Sequence, residues 1–203
     1  SGVYLLHLNR PESFKFKAGQ HIALSLPGDE GQHRIYSIAS GENEKTLSIL
    51  CDVKSDGYLT PLMERLKKGA EMRISKASGS FLWRNIPAYW IASGTGIAPF
   101  ISMLRSGYYA GAKLVHGGRN QENFYFEDEF TQAFGADYVR CASRDNRAAD
   151  FTGRVTNWIR AQNDLPKEHL YYLCGRAEMV VECRDLLIEK QIPLNQIIAE
   201  IYF

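Results

Sequence analysis

Two glycines that follow an apolar run form a turn in this sequence that is suited to binding a phosphate. Residues 90–100 read WIASGTGIAPF, so an apolar stretch precedes Gly94 and Gly96, and Pro99 comes next. This order predicts a buried strand, a tight turn and the start of a helix, where Pro99 suits the first helical turn. Phosphates approach glycine backbones closely and bind free N–H groups at helix starts. The stretch is a candidate phosphate site, and an ordinary strand–helix turn is the alternative.

Composition limits the protein class. The chain has 203 residues, 45% of them hydrophobic, which allows one large domain or two small ones with a sizeable core. Its net charge of +1 provides no strong field for nucleic acid, and no apolar run is long enough to span a bilayer. We therefore expect no nucleic-acid partner and no membrane span.

The cysteines match no metal-binding pattern. Cys51, Cys141, Cys174 and Cys183 contain no C-x-x-C pair and lack plant-type iron–sulfur spacing, so no metal site is predicted. A reducing, cytoplasmic setting is the simplest interpretation. A start at Ser-Gly without Met, and with no visible signal peptide, indicates a tag remnant or a trimmed end.

The first part of the chain, residues 1–84, is rich in strand-like segments. Strands are predicted at 3–8, 21–26, 33–39, 46–53 and 71–76, and one helix at 58–66. Several short antiparallel strands with a single helix predict a small β-barrel.

From residue 85 to residue 203, strand-like and helix-like segments alternate. Strands are predicted at 88–92, 112–116, 138–142, 170–173 and 197–202, and helices at 98–106, 126–134, 155–161 and 179–189. Such alternation predicts a parallel sheet with helices on both faces. Ligands of such sheets bind at the carboxyl ends of the strands, so the glycine turns after residues 93, 116 and 174 should line one rim.

Four motifs in the same order make the chain resemble the ferredoxin–NADP reductase family over nearly its whole length. Residues 34–37 (RIYS) and 94–100 (GTGIAPF) are similar to the family's flavin and nucleotide motifs. Residues 174–175 (CG) and 200–202 (EIY) are similar to its C-G pair and its E-x-Y ending. The resemblance implies a flavin-binding β-barrel over 1–84 and an NAD(P)-binding α/β domain over 85–203.

In the first domain the resemblance assigns residues to the flavin. Arg34 would pair with a flavin phosphate, for which a guanidinium is well suited because it donates two parallel hydrogen bonds. Tyr36 would lie along the ring and ribityl chain, and Ser37 near flavin N5. Thr60 is the candidate hydroxyl for the second phosphate segment, where a capped surface helix is the alternative. The implied flavin is FAD, with FMN as the alternative.

In the second domain the resemblance assigns residues to the nicotinamide nucleotide. Thr95 would contact the nucleotide and the flavin edge, in the turn made by Gly94 and Gly96. Cys174 would lie near the nicotinamide, and Gly175 would let the ring approach. A small buried core residue is the alternative role for Cys174.

The resemblance also gives the last residues a role. Tyr202 would stack on the flavin face as a gate that the nucleotide displaces, and Phe203 is the alternative ring. Glu200 would position reactants or relay protons near Ser37 and Cys174. The predicted catalytic residues are therefore Ser37, Cys174, Glu200 and Tyr202.

Arginines at predicted strand ends bear on the choice of nucleotide. Residues 116–120 contain Arg119 and no acid, whereas an NAD site commonly places an acidic residue there on the ribose 2′-hydroxyl. Ser143, Arg144 and Arg154 stand where NADP-binding members of the family carry Ser and Arg. NADP(H) is therefore predicted, with NAD(H) as the alternative.

The implied reaction is hydride exchange between nicotinamide C4 and flavin N5, followed by electron transfer to a separate one-electron carrier. A ferredoxin or a flavodoxin is the first expected partner, and residues 1–84 offer a small positive excess, 12 basic against 9 acidic residues. An NAD(P)H-dependent reductase of free flavin, or the reductase component of an oxygenase, is the alternative enzyme. A non-catalytic redox-sensing module ranks lower, because all the residues of the reaction are present.

Overall fold

Two units make up residues 2–145 and 149–202, which the computed structural model describes. The first unit contains residues 2–82 together with Ala98–Ser106. The second contains Trp83–Ile97 and the described residues from Gly107 to Tyr202. The domain limits 1–84 and 85–203 remain a prediction.

The first unit is built from antiparallel strands. They are β1 (Val3–Asn9), β2 (His21–Ser25), β3 (Arg34–Ser37), β4 (Thr46–Asp52) and β5 (Arg73–Ile74). β1 pairs with β4, β2 lies between β3 and β5, and an isolated Ile38–Ile49 bridge connects β4 to the segment after β3. The antiparallel class of this unit is confirmed.

Alternating apolar residues explain the core of the first unit. Ile22 and Leu24 in β2 are fully buried, as are Leu47 and Ile49 in β4, so alternate side chains of both strands point into one core. In β4 the intervening Ser48 is buried as well, so this strand is covered on both faces. The short helix α1 (Leu59–Glu64) adds Leu59 to the same core. β5 is shorter than the predicted 71–76 segment, which after Ile74 pairs through single bonds such as Ser75 N–H to the Ala23 carbonyl (2.9 Å).

Helix α2 (Ala98–Arg105) belongs to the first unit although it directly follows the glycine turn. The Phe100 ring meets the Phe81 ring edge-on, with their centroids 5.5 Å apart. The buried Ser102 hydroxyl donates to the Ser40 carbonyl at 2.7 Å. Apolar and polar contacts therefore both hold α2 in this unit.

The second unit is a six-stranded parallel sheet with α-helices, as expected. Its strands are β6 (Ala88–Ser93), β7 (Ala112–Gly118), β8 (Tyr138–Ala142), β9 (Phe151–Thr152), β10 (Leu170–Arg176) and β11 (Ile197–Tyr202). Its helices are α3 (Glu127–Phe134), α4 (Val155–Ala161) and α5 (Ala177–Glu189). The strand order is β11-β10-β6-β7-β8-β9, so the direction of winding changes between β6 and β10. Ligands of such sheets bind at the carboxyl ends of the strands at this switch point.

Short 3-10 turns complete the connections, at Glu30–Gln32, Gly94–Ile97, Gln121–Asn123, Gly135–Asp137 and Leu194–Gln196. β7 and β10 run further than predicted, so Gly117, Gly118, Cys174 and Gly175 lie inside strands rather than in turns after them. The two-residue strand β9 was not predicted, because so short a segment has no readable periodicity.

Candidate functional site

The glycine turn lies at the switch point of the parallel sheet. β6 ends at Ser93, and Gly94–Ile97 form a 3-10 turn that leads into α2. A Cβ atom on Gly96 would lie 2.3 Å from the carbonyl oxygen of Cys174, so only glycine allows the turn to approach β10 this closely. A Cβ on Gly94 would meet no atom within 4 Å, which leaves open space beside the turn. A phosphate fits such space.

Three of the four predicted catalytic residues come together at the β10–β11 pair. Cys174 is opposite Glu200 in the parallel register, and Tyr202 follows two residues later on the same face. Cys174 is fully buried, and burial raises the pKa of its thiol well above the usual value. The nearby Glu200 charge raises that pKa further, and a hydrogen bond with Tyr202 lowers it slightly. The thiol is therefore neutral at pH 7.

Gly175 continues this arrangement at the end of β10. Its φ of +151° is a conformation that side chains disfavour, and a Cβ there would lie 2.8 Å from the Ser93 hydroxyl oxygen. The Met179 side chain and Ser93 therefore pack directly against the Gly175 backbone, which leaves no room for a side chain at this position.

The predicted flavin residues lie in the first unit, on and near β3. Arg34 is exposed, and its guanidinium donates to the His33 carbonyl at 2.9 Å and the Gln32 carbonyl at 3.3 Å from one nitrogen, leaving other donors for a ligand. Tyr36 is half-buried against the core, and burial raises its pKa to about 12, while the Arg34 charge partly opposes the rise. Ser37, the fourth predicted catalytic residue, is 3% exposed at the end of β3.

Thr60 has a local structural partner. Its hydroxyl oxygen accepts the backbone N–H of Lys54 at 3.1 Å, which closes the loop before α1. The side chain is buried, at 8% exposure. This bond is not a helix cap, because α1 begins at Leu59 with Tyr58 as its N-cap and no side-chain cap hydrogen bond. The hydroxyl oxygen of Thr60 is used within the loop, and its hydroxyl hydrogen can still donate.

The predicted 2′-phosphate residues follow three neighbouring strands of the sheet. Arg119 follows β7, Ser143 and Arg144 follow β8, and Arg154 follows β9. The Arg144 N–H donates to the Arg119 carbonyl at 3.0 Å, so these two positions are adjacent. Both side chains are exposed, and neither guanidinium makes a hydrogen bond or ion pair within residues 2–145 and 149–202.

Phe203, the predicted alternative to Tyr202 as the ring over the flavin, lies outside the described residues.

Two features of the second unit were missed by sequence reasoning. His116, which was expected at the rim, is fully buried; its Nδ1 lies 3.0 Å from the Tyr138 hydroxyl, and burial lowers its pKa to about 3. Arg140, in β8, bonds the carboxylates of Glu127 and Asp150. No local motif signals this group, because its members are distant in sequence.

Family models match nearly the whole chain. One described as an oxidoreductase FAD-binding domain matches residues 2–83, and one described as an oxidoreductase NAD-binding domain matches residues 90–185. A ferredoxin–NADP reductase from Neisseria gonorrhoeae with bound FAD and NADP has the same fold, with a TM-score of 0.89 at 24% identity over 99% of this chain and 93% of that one.

The chain belongs to the ferredoxin–NADP reductase family. Ferredoxin–NADP reductase B of Sorangium cellulosum is 28% identical, covering 94% of this chain and 87% of that protein. The reductase component of propane 2-monooxygenase from Mycolicibacterium goodii is 25% identical over 92% of this chain and 59% of its own length. The chain spans little more than half the length of several curated relatives that it matches.

This family member is a two-domain flavoprotein with FAD and a nicotinamide nucleotide as cofactors. The open space at Gly94, the close backbone approach at Gly96 and the unengaged guanidinium groups of Arg119 and Arg144 fit the nucleotide. Within the described ranges, no helix combines the length and apolar character needed to cross a bilayer. The same residues hold no group of three or more His, Cys, Asp or Glu side chains placed to bind a metal ion.

Proposed function

We propose that this chain catalyses hydride transfer between NADPH and bound FAD and passes the electrons to a separate one-electron carrier. The observation that carries the proposal is the meeting of the glycine turn with Cys174 and Gly175 at the switch point of the sheet, where a Cβ on Gly96 would lie only 2.3 Å from the Cys174 carbonyl oxygen. Flavin, when bound, exchanges hydride with a nicotinamide and single electrons with a carrier. The protein supplies binding, orientation and exclusion of water.

Roles for the first-unit residues follow from their chemistry. Arg34 keeps free guanidinium donors for a flavin phosphate, and Thr60 offers its hydroxyl hydrogen to the second phosphate. Tyr36 provides a phenol that stays protonated, because its pKa is raised to about 12. Ser37 places a small hydroxyl for flavin N5.

In the second unit, Cys174 acts as a neutral thiol. Its raised pKa leaves almost no thiolate at pH 7, so it supplies no nucleophile, and because it is fully buried it meets the nicotinamide only after Tyr202 is displaced. Tyr202 covers the position that the nicotinamide takes, and Glu200 holds a carboxylate beside the thiol. Thr95, half-exposed in the glycine turn, contacts the nucleotide.

NADPH is the proposed nucleotide because arginines stand at three successive strand ends. Arg119 and Arg144 present unengaged guanidinium groups on adjacent backbone segments, which suits a dianionic 2′-phosphate. Ser143 adds a hydroxyl, and Arg154 adds a further cation at the start of α4.

The proposed electron acceptor is a ferredoxin or a flavodoxin. The Sorangium cellulosum relative is named a ferredoxin–NADP reductase, and the Mycolicibacterium goodii relative is named a monooxygenase reductase component. Relatives of the second kind support a reductase component of an oxygenase as the alternative. A cytoplasmic location is proposed from the four free cysteines.

An anaerobic absorbance titration tests the reaction and the nucleotide together. The purified protein should be yellow, and stoichiometric NADPH should bleach it much faster than NADH. Equal rates with both nucleotides would contradict the proposed preference for NADPH but not the proposed oxidoreductase activity. A yellow protein that neither nucleotide bleaches would contradict the proposed reaction and favour the redox-sensing module.

A further inference from the structure

A chain of hydrogen bonds centred on Arg140 links the two segments that carry Arg119 and Arg144. On one side, Nε and Nη2 of Arg140 donate to the two carboxylate oxygens of Asp150, each at 2.9 Å. The Arg140 backbone N–H donates to the same carboxylate at 2.8 Å, and the Asp150 N–H returns a bond to the Arg140 carbonyl at 3.0 Å. Side chain and backbone together lock Asp150 to β8.

On the other side, Arg140 reaches the start of α3. Its Nη1 donates to one carboxylate oxygen of Glu127, and the other oxygen accepts the side-chain amide of Gln121. Gln121 begins the 3-10 turn after Arg119, and the Asn123 side-chain oxygen in that turn accepts the Arg119 N–H at 3.0 Å. The segment after β7 is thereby linked by hydrogen bonds, through Glu127, to the guanidinium of Arg140 in β8.

Arg140 lies in the strand that leads directly to Arg144. β8 ends at Ala142, two residues before Arg144, and the Ser143 N–H donates to the Gly118 carbonyl at 3.1 Å. Asp150, which immediately precedes β9, holds the Arg140 side chain from one side. Arg140 therefore ties the strand before Arg144, through Glu127 and Gln121, to the segment beside Arg119.

Arginine is the residue type this arrangement needs. A planar guanidinium can donate in parallel to one carboxylate while a third donor engages another, whereas a lysine ammonium is a single point charge. The Arg140 side chain is 29% exposed and that of Glu127 is 19% exposed, so water screens the group only partly. The Arg140 hydrogen bond lowers the pKa of Asp150, which keeps that carboxylate charged and bound.

We propose that Arg140 is a positioning residue for recognition of the nucleotide 2′-phosphate. It ties β8, the strand that leads to Arg144, to the segment that carries Arg119, and so sets the spacing of the two guanidinium groups. The inference rests on the proposed function, specifically on the assignment of Arg119 and Arg144 to the 2′-phosphate.

Calorimetric binding of two small probes tests the inference without turnover. Adenosine 2′,5′-bisphosphate carries the 2′-phosphate, and adenosine 5′-monophosphate lacks it. Arg140→Lys should weaken binding of the bisphosphate at least tenfold and change binding of the monophosphate less than twofold. Arg160→Lys is the matched control, because Arg160 pairs with Glu182 at 2.8 Å between α4 and α5, and it should change neither affinity.

Two further variants separate the possible failures. Asp150→Asn weakens the same contact from the opposite side, should act in the same direction, and decides the question if Arg140→Lys fails to fold. Arg144→Ala should remove the preference for the bisphosphate; if it does not, the 2′-phosphate assignment itself is wrong. If Arg144→Ala removes the preference but Arg140→Lys and Asp150→Asn keep it, the positioning role is wrong and the proposed function stands. If Arg140→Lys weakened binding of both probes equally, the positioning role would also be wrong.

Discussion

The environment of individual side chains decides what chemistry they can do, and sequence reveals only part of it. Cys174, Glu200 and Tyr202 were chosen from a motif, and the parallel register of β10 and β11 brings them together. The predicted end of a strand at residue 116 places His116 at the rim of the sheet, yet its side chain is buried. Strand order predicts where the backbone ends, whereas only packing shows that the His116 ring lies against Phe124 and Phe130.

The buried His116 should make stability depend on pH. Its pKa is about 3 in the folded protein and 6.5 in the unfolded chain, so below pH 6.5 the unfolded chain takes up a proton that the fold excludes. The free energy of unfolding should therefore fall as pH drops, by about 1.4 kcal/mol per pH unit and about 2 kcal/mol from pH 7 to pH 5. Urea unfolding at the two pH values measures this loss.

His116→Phe should remove most of that pH dependence, because no imidazole remains to protonate. Tyr138→Phe is the control: it deletes the hydroxyl that lies 3.0 Å from Nδ1 but retains the buried ring, so the loss between pH 7 and pH 5 should persist. The same loss in His116→Phe as in the parent protein would assign the effect to other groups.

Secondary-structure elements were largely predictable, and the deviations have physical causes. Strands with strong alternation or continuous apolar runs, such as β4 and β6, appear close to their predicted bounds. β9 forms because its two residues pair with Cys141 and Ala142, and such pairing depends on tertiary structure rather than on local sequence. The glycine turn was predicted as a turn, but the backbone contact that makes Gly96 indispensable involves β10, which is far away in sequence.

Gly96 in the turn and Gly107 after α2 offer a matched test at this level. In Gly96→Ala the new Cβ would lie 2.3 Å from the Cys174 carbonyl oxygen, so β10 and the turn must separate; we expect more than tenfold weaker nucleotide binding and a loss of about 1–3 kcal/mol of stability. In Gly107→Ala the Cβ meets no atom within 4 Å, and only the φ of +81° costs energy, about 1–2 kcal/mol.

Nucleotide titration and thermal unfolding of both variants measure the two effects. The Gly107 variant should bind nucleotide much better than the Gly96 variant at similar stability loss. Comparable binding by the two would mean that the approach of the turn to β10 does not shape the site.

At the scale of the whole chain, packing assigns α2 differently from sequence order. Strand–turn–helix succession predicts that residues 98–106 belong with the parallel sheet, and the family model for the NAD-binding domain also includes them. Phe100 and Ser102 nevertheless make their contacts with Phe81 and Ser40 of the first unit. Periodicity identifies which face of a helix is apolar but not which surface covers that face.

A pair of phenylalanines tests this assignment. Phe100 and Phe130 are both fully buried, the first in the first unit and the second in α3 of the second unit. Either change to Ala should cost about 3–5 kcal/mol of local stability. Phe100→Ala should release flavin at a lower temperature, because its cavity opens in the flavin-binding unit, whereas Phe130→Ala should weaken nucleotide binding first. Flavin fluorescence during heating measures release, and identical release curves for the two variants would contradict the assignment.

The burial of all four cysteines has a practical consequence for anyone handling the protein. Burial raises every thiol pKa, to about 11 for Cys51 and about 12 for Cys141 and Cys183, with Cys174 also well above its usual value. At pH 7 only about one Cys51 in ten thousand is a thiolate. Alkylating reagents and peroxides therefore react with these residues mainly when the fold opens. Cys51 lies in the first unit and the other three in the second, so mass spectrometry of labelled peptides would time the opening of each unit separately.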